Sequence, residues 1–416
     1  MAAIAAKTRT DDLTVDRKVL LAALQRSAAV IPSRTPKPIF AAVRLSTENE
    51  WLHIAATDGA IQLAIRVEAH GRLPVIVVNC QDLLARVKSG RQPECVLAMK
   101  AKPARLIING GAVEHTLPAL DPSDFPPTPE VPVGKTIQLD AALVRTALSV
   151  TSAAMAADAT RYAMNGLLLE SDAQGARLVG TDARRLALCE LNQGKIAWQG
   201  KVILSARFAK LAEQLAGGAD SLSWSFVDKA DAKGAALPAQ IHVAGEDWTL
   251  ATYSMEGSFP NYRDVFPVSG SRFTIDRKPL IDALKQVALA TNREARAVQL
   301  VLGPRRVEVM AQSAEGGASS AKLPCRFLGG GDNAIKTGFN PQYLLDALQT
   351  LPGETAVFDL QQNGLADAGV VFGKPCVLTP DDNAEMRWVI MPVSIGLAPT
   401  RENLGSNYRE PSADAA

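Results

Sequence analysis

Leu13-Thr14-Val15-Asp16-Arg17-Lys18, leading into Leu20 and Ala23-Leu24, is the first of three variants of one phrase in this chain. The second is Ile137-Gln138-Leu139-Asp140, leading into Val144 and Ala147-Leu148. The third is Phe273-Thr274-Ile275-Asp276-Arg277-Lys278, leading into Leu280 and Ala283-Leu284. Aspartates at 16, 140 and 276 recur at roughly 130 residues, the size of a small domain. Each copy implies the same local structure. A short alternating strand ends at an Asp, whose carboxylate can cap the free N–H groups of the helix that follows. Apolar residues then recur at helical spacing. Pro279 falls in the first turn of the third helix, where its missing N–H costs little.

A second strand–helix unit recurs inside each repeat. Pro74-Val75-Ile76-Val77-Val78 runs into Leu83-Leu84 and Val87, and Lys201-Val202-Ile203-Leu204-Ser205 runs into Phe208, Leu211 and Leu215. Ile335-Lys336-Thr337-Gly338-Phe339-Asn340 runs into Leu344-Leu345 and Leu348. Hairpin-like stretches lie between, with Thr57-Asp58-Gly59 parallel to Thr181-Asp182-Ala183. The expected fold class is α+β: three repeated modules, each of two strand–helix units with antiparallel strands between. The expected bounds are 1–12 for an N-terminal extension, 13–133, 134–269 and 270–395 for the modules, and 396–416 for a disordered polar tail.

The chain has 416 residues, 47% hydrophobic and 21% charged, with a net charge of +1. Two to three domains are expected at that length. Near-neutrality excludes a protein that coats nucleic acid by bulk charge, but not basic groups gathered on one face. The N-terminus lacks a secretory apolar stretch and no run reaches a membrane span, so a cytoplasmic protein is expected. Cys80, Cys95, Cys189, Cys325 and Cys376 are scattered, which suggests reduced, mostly buried thiols. His53, His70, His115 and His242 have no metal-ligand spacing. Gly329-Gly330-Gly331-Asp332 lacks a phosphate-loop frame and reads as a turn. Neither enzyme activity nor a cofactor is expected.

Three modules in an arc could present all their helices on one side, and two such chains meeting head to tail could close a ring. The helices carry Arg17, Lys18, Arg26, Arg86, Lys88, Arg145, Arg207, Lys210, Arg277, Lys278 and Lys285, with few acidic neighbours at equivalent places. That is either a phosphate-tracking surface or an ordinary solvated helix face. The sixth helix, with Gln342, Asp346 and Gln349, has no basic residue.

Five co-linear segments carry a family resemblance. Thr160-Arg161-Tyr162-Ala163-Met164-Asn165-Gly166, Thr181-Asp182-Ala183-Arg184-Arg185-Leu186-Ala187 and Glu256-Gly257-Ser258-Phe259-Pro260-Asn261-Tyr262-Arg263 resemble segments of the bacterial DNA polymerase III β subunit. So do Gly338-Phe339-Asn340-Pro341-Gln342-Tyr343-Leu344-Leu345-Asp346-Ala347-Leu348 and Trp388-Val389-Ile390-Met391-Pro392-Val393. The resemblance spans residues 13 to 395. It implies a homodimeric ring with a helix-lined channel around double-stranded DNA, opened by a clamp loader and associated with the nucleoid. It also implies a hydrophobic pocket for short peptides of replicative and repair DNA polymerases. Carried over by position, that pocket comprises Met164, Thr181, Ala183, Arg184, Arg185, Leu186, Pro260, Val265, Asn340, Tyr343, Val389, Met391, Pro392 and Val393. Such a groove would offer aliphatic walls and a few orienting polar groups. DNA contacts are implied at Arg34, Tyr162 and Arg207, beside the basic helix residues Arg145, Lys210, Arg277 and Lys278.

The same residues have plainer readings. Leu186, Val265 and Met391 could be core, Arg184 and Arg185 surface charges, and Tyr162 a strand-edge aromatic. The chain also departs from the family pattern. Ala183 stands where Gly is common, Arg184 where His is frequent, Asp264 at a usually basic position and Ser394 where Arg is common. The chain continues about twenty residues beyond Gly396. A specialised clamp paralogue for repair or drug tolerance therefore stands beside the main replicative clamp as an alternative. An enzyme on a repeat scaffold is disfavoured by the missing chemistry.

Overall fold

The computed structural model describes residues 12–110, 113–127, 136–158, 162–191, 198–230, 236–291, 297–313, 316–330, 334–360, 374–381 and 385–393. The expected N-terminal extension, apart from Asp12, and the expected tail lie outside them. Six α-helices occur among the described residues: α1 (Arg17–Val30), α2 (Cys80–Ser89), α3 (Ala141–Ser152), α4 (Ala206–Leu215), α5 (Arg277–Val287) and α6 (Pro341–Thr350). Each repeat has the order strand, helix, three strands, strand, helix, three strands. The class is α+β with antiparallel sheets, built of three modules that share this order.

Helix starts follow the local chemistry read from sequence. Asp16 accepts from the backbone N–H groups of Lys18 and Val19 at 2.8 and 2.9 Å, and Asp140 from that of Leu143 at 2.7 Å. The second helix of each module is capped by Asn79, Ser205 and Asn340 respectively. Asp276 departs from the expectation, because its side chain makes no capping bond. Pro279 occupies the third helical position, where Asp16 and Asp140 find an N–H donor; proline has none to give. Helices pair within modules, α1 on α2, α3 on α4 and α5 on α6. Their inward stripes, such as Leu20, Ala23 and Leu24 or Leu280 and Leu284, are buried. Each fully buried Leu is worth about 1.5–3 kcal/mol of transfer free energy.

The described residues group into two compact units. The first takes in Met1–Asp182 and Leu188–Pro260. Its main sheet runs Glu114–Pro118, Ala104–Asn109, Glu94–Ala101, Leu13–Asp16, Gln62–His70, Trp248–Tyr253, Ala236–Ala244, Ser221–Ala230 and Thr136–Asp140. The joint from first to second module is the pairing of Gln62–His70 with Trp248–Tyr253, with Ile65 opposite Trp248 and Leu63 opposite Leu250. Trp198 stacks on Phe226 at 3.9 Å in the core. The second unit takes in Ala183–Ala187 and Asn261–Ala416. Its strands run Met386–Ile390, Cys376–Pro380, Thr355–Leu360, Ser271–Asp276, Ala318–Gly329, Arg306–Gln312, Val298–Leu302 and Ile335–Phe339.

Candidate functional site

Of the fourteen pocket positions, eleven fall in the second unit: Ala183, Arg184, Arg185, Leu186, Val265, Asn340, Tyr343, Val389, Met391, Pro392 and Val393. They come from four stretches distant in sequence. Two backbone bonds hold the strand ends together, from Met391 N–H to the Arg184 carbonyl at 3.0 Å and from Val393 N–H to the Gly338 carbonyl at 2.9 Å. Leu186 is buried, as its plainer reading as core has it, and Val389 is buried as well. Val265, Met391, Pro392 and Val393 are half-buried, which leaves apolar surface to offer. Asn340 caps α6 by accepting from Gln342 N–H at 2.9 Å, and this fixes the helix start that carries Tyr343.

Arg185 is held by two groups of α6. Its guanidinium lies over the Tyr343 ring at 4.6 Å and is ion-paired to Asp346. Asp346 also accepts from Gln342 Nε2 at 2.7 Å. In the sequence Asp346 stands out only as a non-basic residue of the sixth helix. Its one local signal is the spacing of Gln342 and Asp346, four apart on one helix face. Asp264 is exposed and accepts from Asn261 Nδ2 at 2.6 Å.

The remaining pocket positions belong to the first unit. Met164 is half-buried in the 3-10 turn Tyr162–Asn165, and its carbonyl accepts from Ala156 N–H at 3.0 Å. Thr181 is buried and Pro260 exposed. The Tyr162 side chain lies outside the described residues.

The basic residues divide sharply. Arg34, Arg145, Lys210 and Lys278 are exposed, with no ion pair or hydrogen bond from their side chains among the described residues. Arg207, from α4, pairs with Asp58 at 3.1 Å and donates to the Val30 carbonyl at the end of α1. Arg277 donates to the Gly353 and Leu348 carbonyls, closing the C-terminal end of α6. Arg26 pairs with Asp247 and Arg86 with Asp82. The expectation of few acidic neighbours is therefore corrected: three helix arginines have carboxylate partners, supplied mostly by loops of another module.

No group of three or more metal-capable side chains occurs among the described residues. No described helix is long and apolar enough to cross a membrane. Four of the cysteines are buried and Cys325 is half-buried. Burial pushes the thiols of Cys80 and Cys189 up to about 12 and that of Cys95 to about 11. Such thiols are poor nucleophiles.

Family models for the N-terminal, central and C-terminal domains of the DNA polymerase III beta subunit match residues 12–129, 138–261 and 263–394. The beta sliding clamp of Pseudomonas aeruginosa is 26% identical over 390 residues, 92% of this chain and 99% of that one. That of Escherichia coli is 25% identical, with 82% of this chain and 90% of that one aligned. A crystal structure of the Pseudomonas aeruginosa clamp bound to griselimycin superposes with a TM-score of 0.80 at 26% identity, covering 93% of this chain and all of that one.

Proposed function

Because the chain belongs to the DNA polymerase III β-subunit family, the bacterial DNA sliding clamps, we propose that it closes head to tail as a homodimeric ring around duplex DNA and tethers polymerases and repair proteins there. It is a non-catalytic processivity subunit, opened by a clamp loader and working on the chromosome in the cytoplasm. The modules are taken as 13–133, 134–269 and 270–395, and the docking groove is taken on the second unit, at the eleven positions given for it above.

The observation that carries the dimer is an unfinished joint at each end of the chain. Inside the first unit, Gln62–His70 pairs with Trp248–Tyr253. The third-module counterpart of Gln62–His70 is Ala318–Gly329. Among the described residues, its stretch from Ala318 to Leu323 pairs on one side only, with Arg306–Gln312. The first-module counterpart of Trp248–Tyr253 is the edge strand Glu114–Pro118. Unpaired edges of this kind invite another chain. Copying the internal register puts Val113 of one protomer opposite Ala321 of its partner, Glu114 opposite Ser320 and His115 opposite Ser319. Val113 then takes the place of Trp248, which explains why it is left 59% exposed. Leu289, 87% exposed beside α5, is a second apolar group that such a contact would cover.

Light scattering at micromolar concentration should give twice the chain mass, and Val113→Lys should halve it while leaving the fold intact. A wild-type monomer, loader absent or present, removes the ring. The specialised-paralogue reading rests on the groove rim, where Arg184 and Asp264 depart from the family pattern. Binding of the organism's replicative polymerase favours the main clamp, and binding of repair polymerases alone favours the paralogue.

A further inference from the structure

We propose that Asp346 is a positioning residue of the docking groove. It neutralises Arg185 and holds its guanidinium against Tyr343, so that the groove selects peptides by apolar anchors and gives acidic side chains no advantage. This rests on reading that surface as the peptide groove.

Arg185 leaves the strand start at a fixed point, because the neighbouring Arg184 carbonyl is bonded to Met391 N–H. Its side chain then meets two partners on one face of α6. Tyr343 offers a ring 4.6 Å from the guanidinium, and Asp346, one turn on, offers a carboxylate oxygen. The planar guanidinium can stack and hydrogen-bond at once, which a lysine ammonium cannot do. The other Asp346 oxygen is occupied by Gln342 Nε2 at 2.7 Å, so the carboxylate is braced from its own helix. The Arg185 and Asp346 side chains are only 12% and 22% exposed. The pair is thus largely withdrawn from solvent screening, and an intruding carboxylate would have to displace one already in place. An acidic peptide residue near Arg185 meets a neutral pair, and Tyr343 is kept as a fixed wall for an apolar anchor.

The test uses acetylated hexapeptides with one leucine and one phenylalanine as anchors and serine at the other four positions. Aspartate is then moved through those four. On the wild-type protein the parent should bind, and no aspartate should improve affinity more than about twofold. In Asp346→Asn, aspartate at one or two positions should bind about fivefold more tightly than the parent, the size of one partly screened ion pair. The gain should weaken with salt and vanish in Asp346→Asn/Arg185→Gln. A purely structural role for Asp346 would lower all affinities together and leave the preference unmoved. Asp346→Ser repeats the measurement if the Asn variant does not fold. An acidic preference already present in the wild type, or no gain at any position in either variant, overturns the inference. Failure of the parent to bind the wild type overturns the groove itself, and this inference with it.

Discussion

Ala183 has φ 69°, a left-handed backbone that favours glycine. It follows Thr181-Asp182 as Gly59, with φ 95°, follows Thr57-Asp58 in the first module. At that earlier turn Asp58 accepts from the Ala60 and Ile61 N–H groups at 2.8 and 2.6 Å, as its turn-making reading requires. Substituting Ala183→Gly should therefore raise stability by about 1 kcal/mol by relieving strain, read from the denaturant midpoint. The reverse change, Gly59→Ala, should cost more, since the added Cβ would lie 3.1 Å from the Phe40 ring. A stabilising Gly59→Ala would show that the turn relaxes freely. The buried thiols give a second test at this scale. With pKa values raised to 11–12 from an ordinary 9.0, they stay neutral when folded and ionise first in the unfolded chain. Their contribution is full below pH 9 and is lost as pH rises toward 12, so alkaline stability should fall from pH 9 upward. In Cys80→Ala that fall should be shallower; an unchanged slope would place the alkaline sensitivity elsewhere.

Elements were legible where their chemistry is local. The first strand–helix start of each module announces itself through an Asp followed by a 3.6-residue apolar period, and α1, α3 and α5 begin directly after Asp16, Asp140 and Asp276. The caps of the second helices, Asn79, Ser205 and Asn340, are not singled out by the sequence pattern. The signal misled only at Asp276, where Pro279 removes the donor. Contacts between elements were not legible, because nothing near Arg207 in the chain marks Asp58 or the Val30 carbonyl as its partners. Ala183 was visible as a departure from the family pattern, but its cause lies in a backbone angle that composition does not express. The proposed groove enters as a set of positions carried over from the family resemblance, whereas the Arg185, Asp346 and Gln342 network depends on side-chain geometry that no spacing expresses. Since Met391 and Pro392 are half-buried at the end of the last strand, Met391→Ala with Pro392→Ala should weaken a polymerase-derived peptide at least tenfold. Dimer mass should stay constant. Undiminished peptide affinity would mean that docking occurs elsewhere.

At the scale of the whole molecule, near-zero net charge and DNA binding are compatible only if contacts are local, few and exchangeable. A sliding ring needs phosphate contacts that fix no register, and free cations on helices and loops suit that better than groups already bonded within the protein. Arg34, Arg145 and Lys210 are exposed and make no such bond among the described residues, whereas Arg207 ties α4 to the end of α1 and to the Asp58 turn. Arg207→Ala should accordingly lower thermal stability more than it lowers DNA affinity. Replacing Arg34, Arg145 and Lys210 together by Ala should do the opposite. Affinity for linear DNA should drop, and the slope of log K against log salt should flatten by up to about 2.7, some 0.9 for each phosphate no longer neutralised. Retention on closed circular DNA after loading should change little, because it depends on the ring staying shut and not on the strength of any contact. Linear DNA should shed the wild-type protein from its ends, so blocking both ends with bulky adducts should restore retention to the circular value. Equal dissociation from open, blocked and circular DNA, or an unchanged salt slope in the triple variant, would mean that the protein grips DNA by surface contact and does not encircle it.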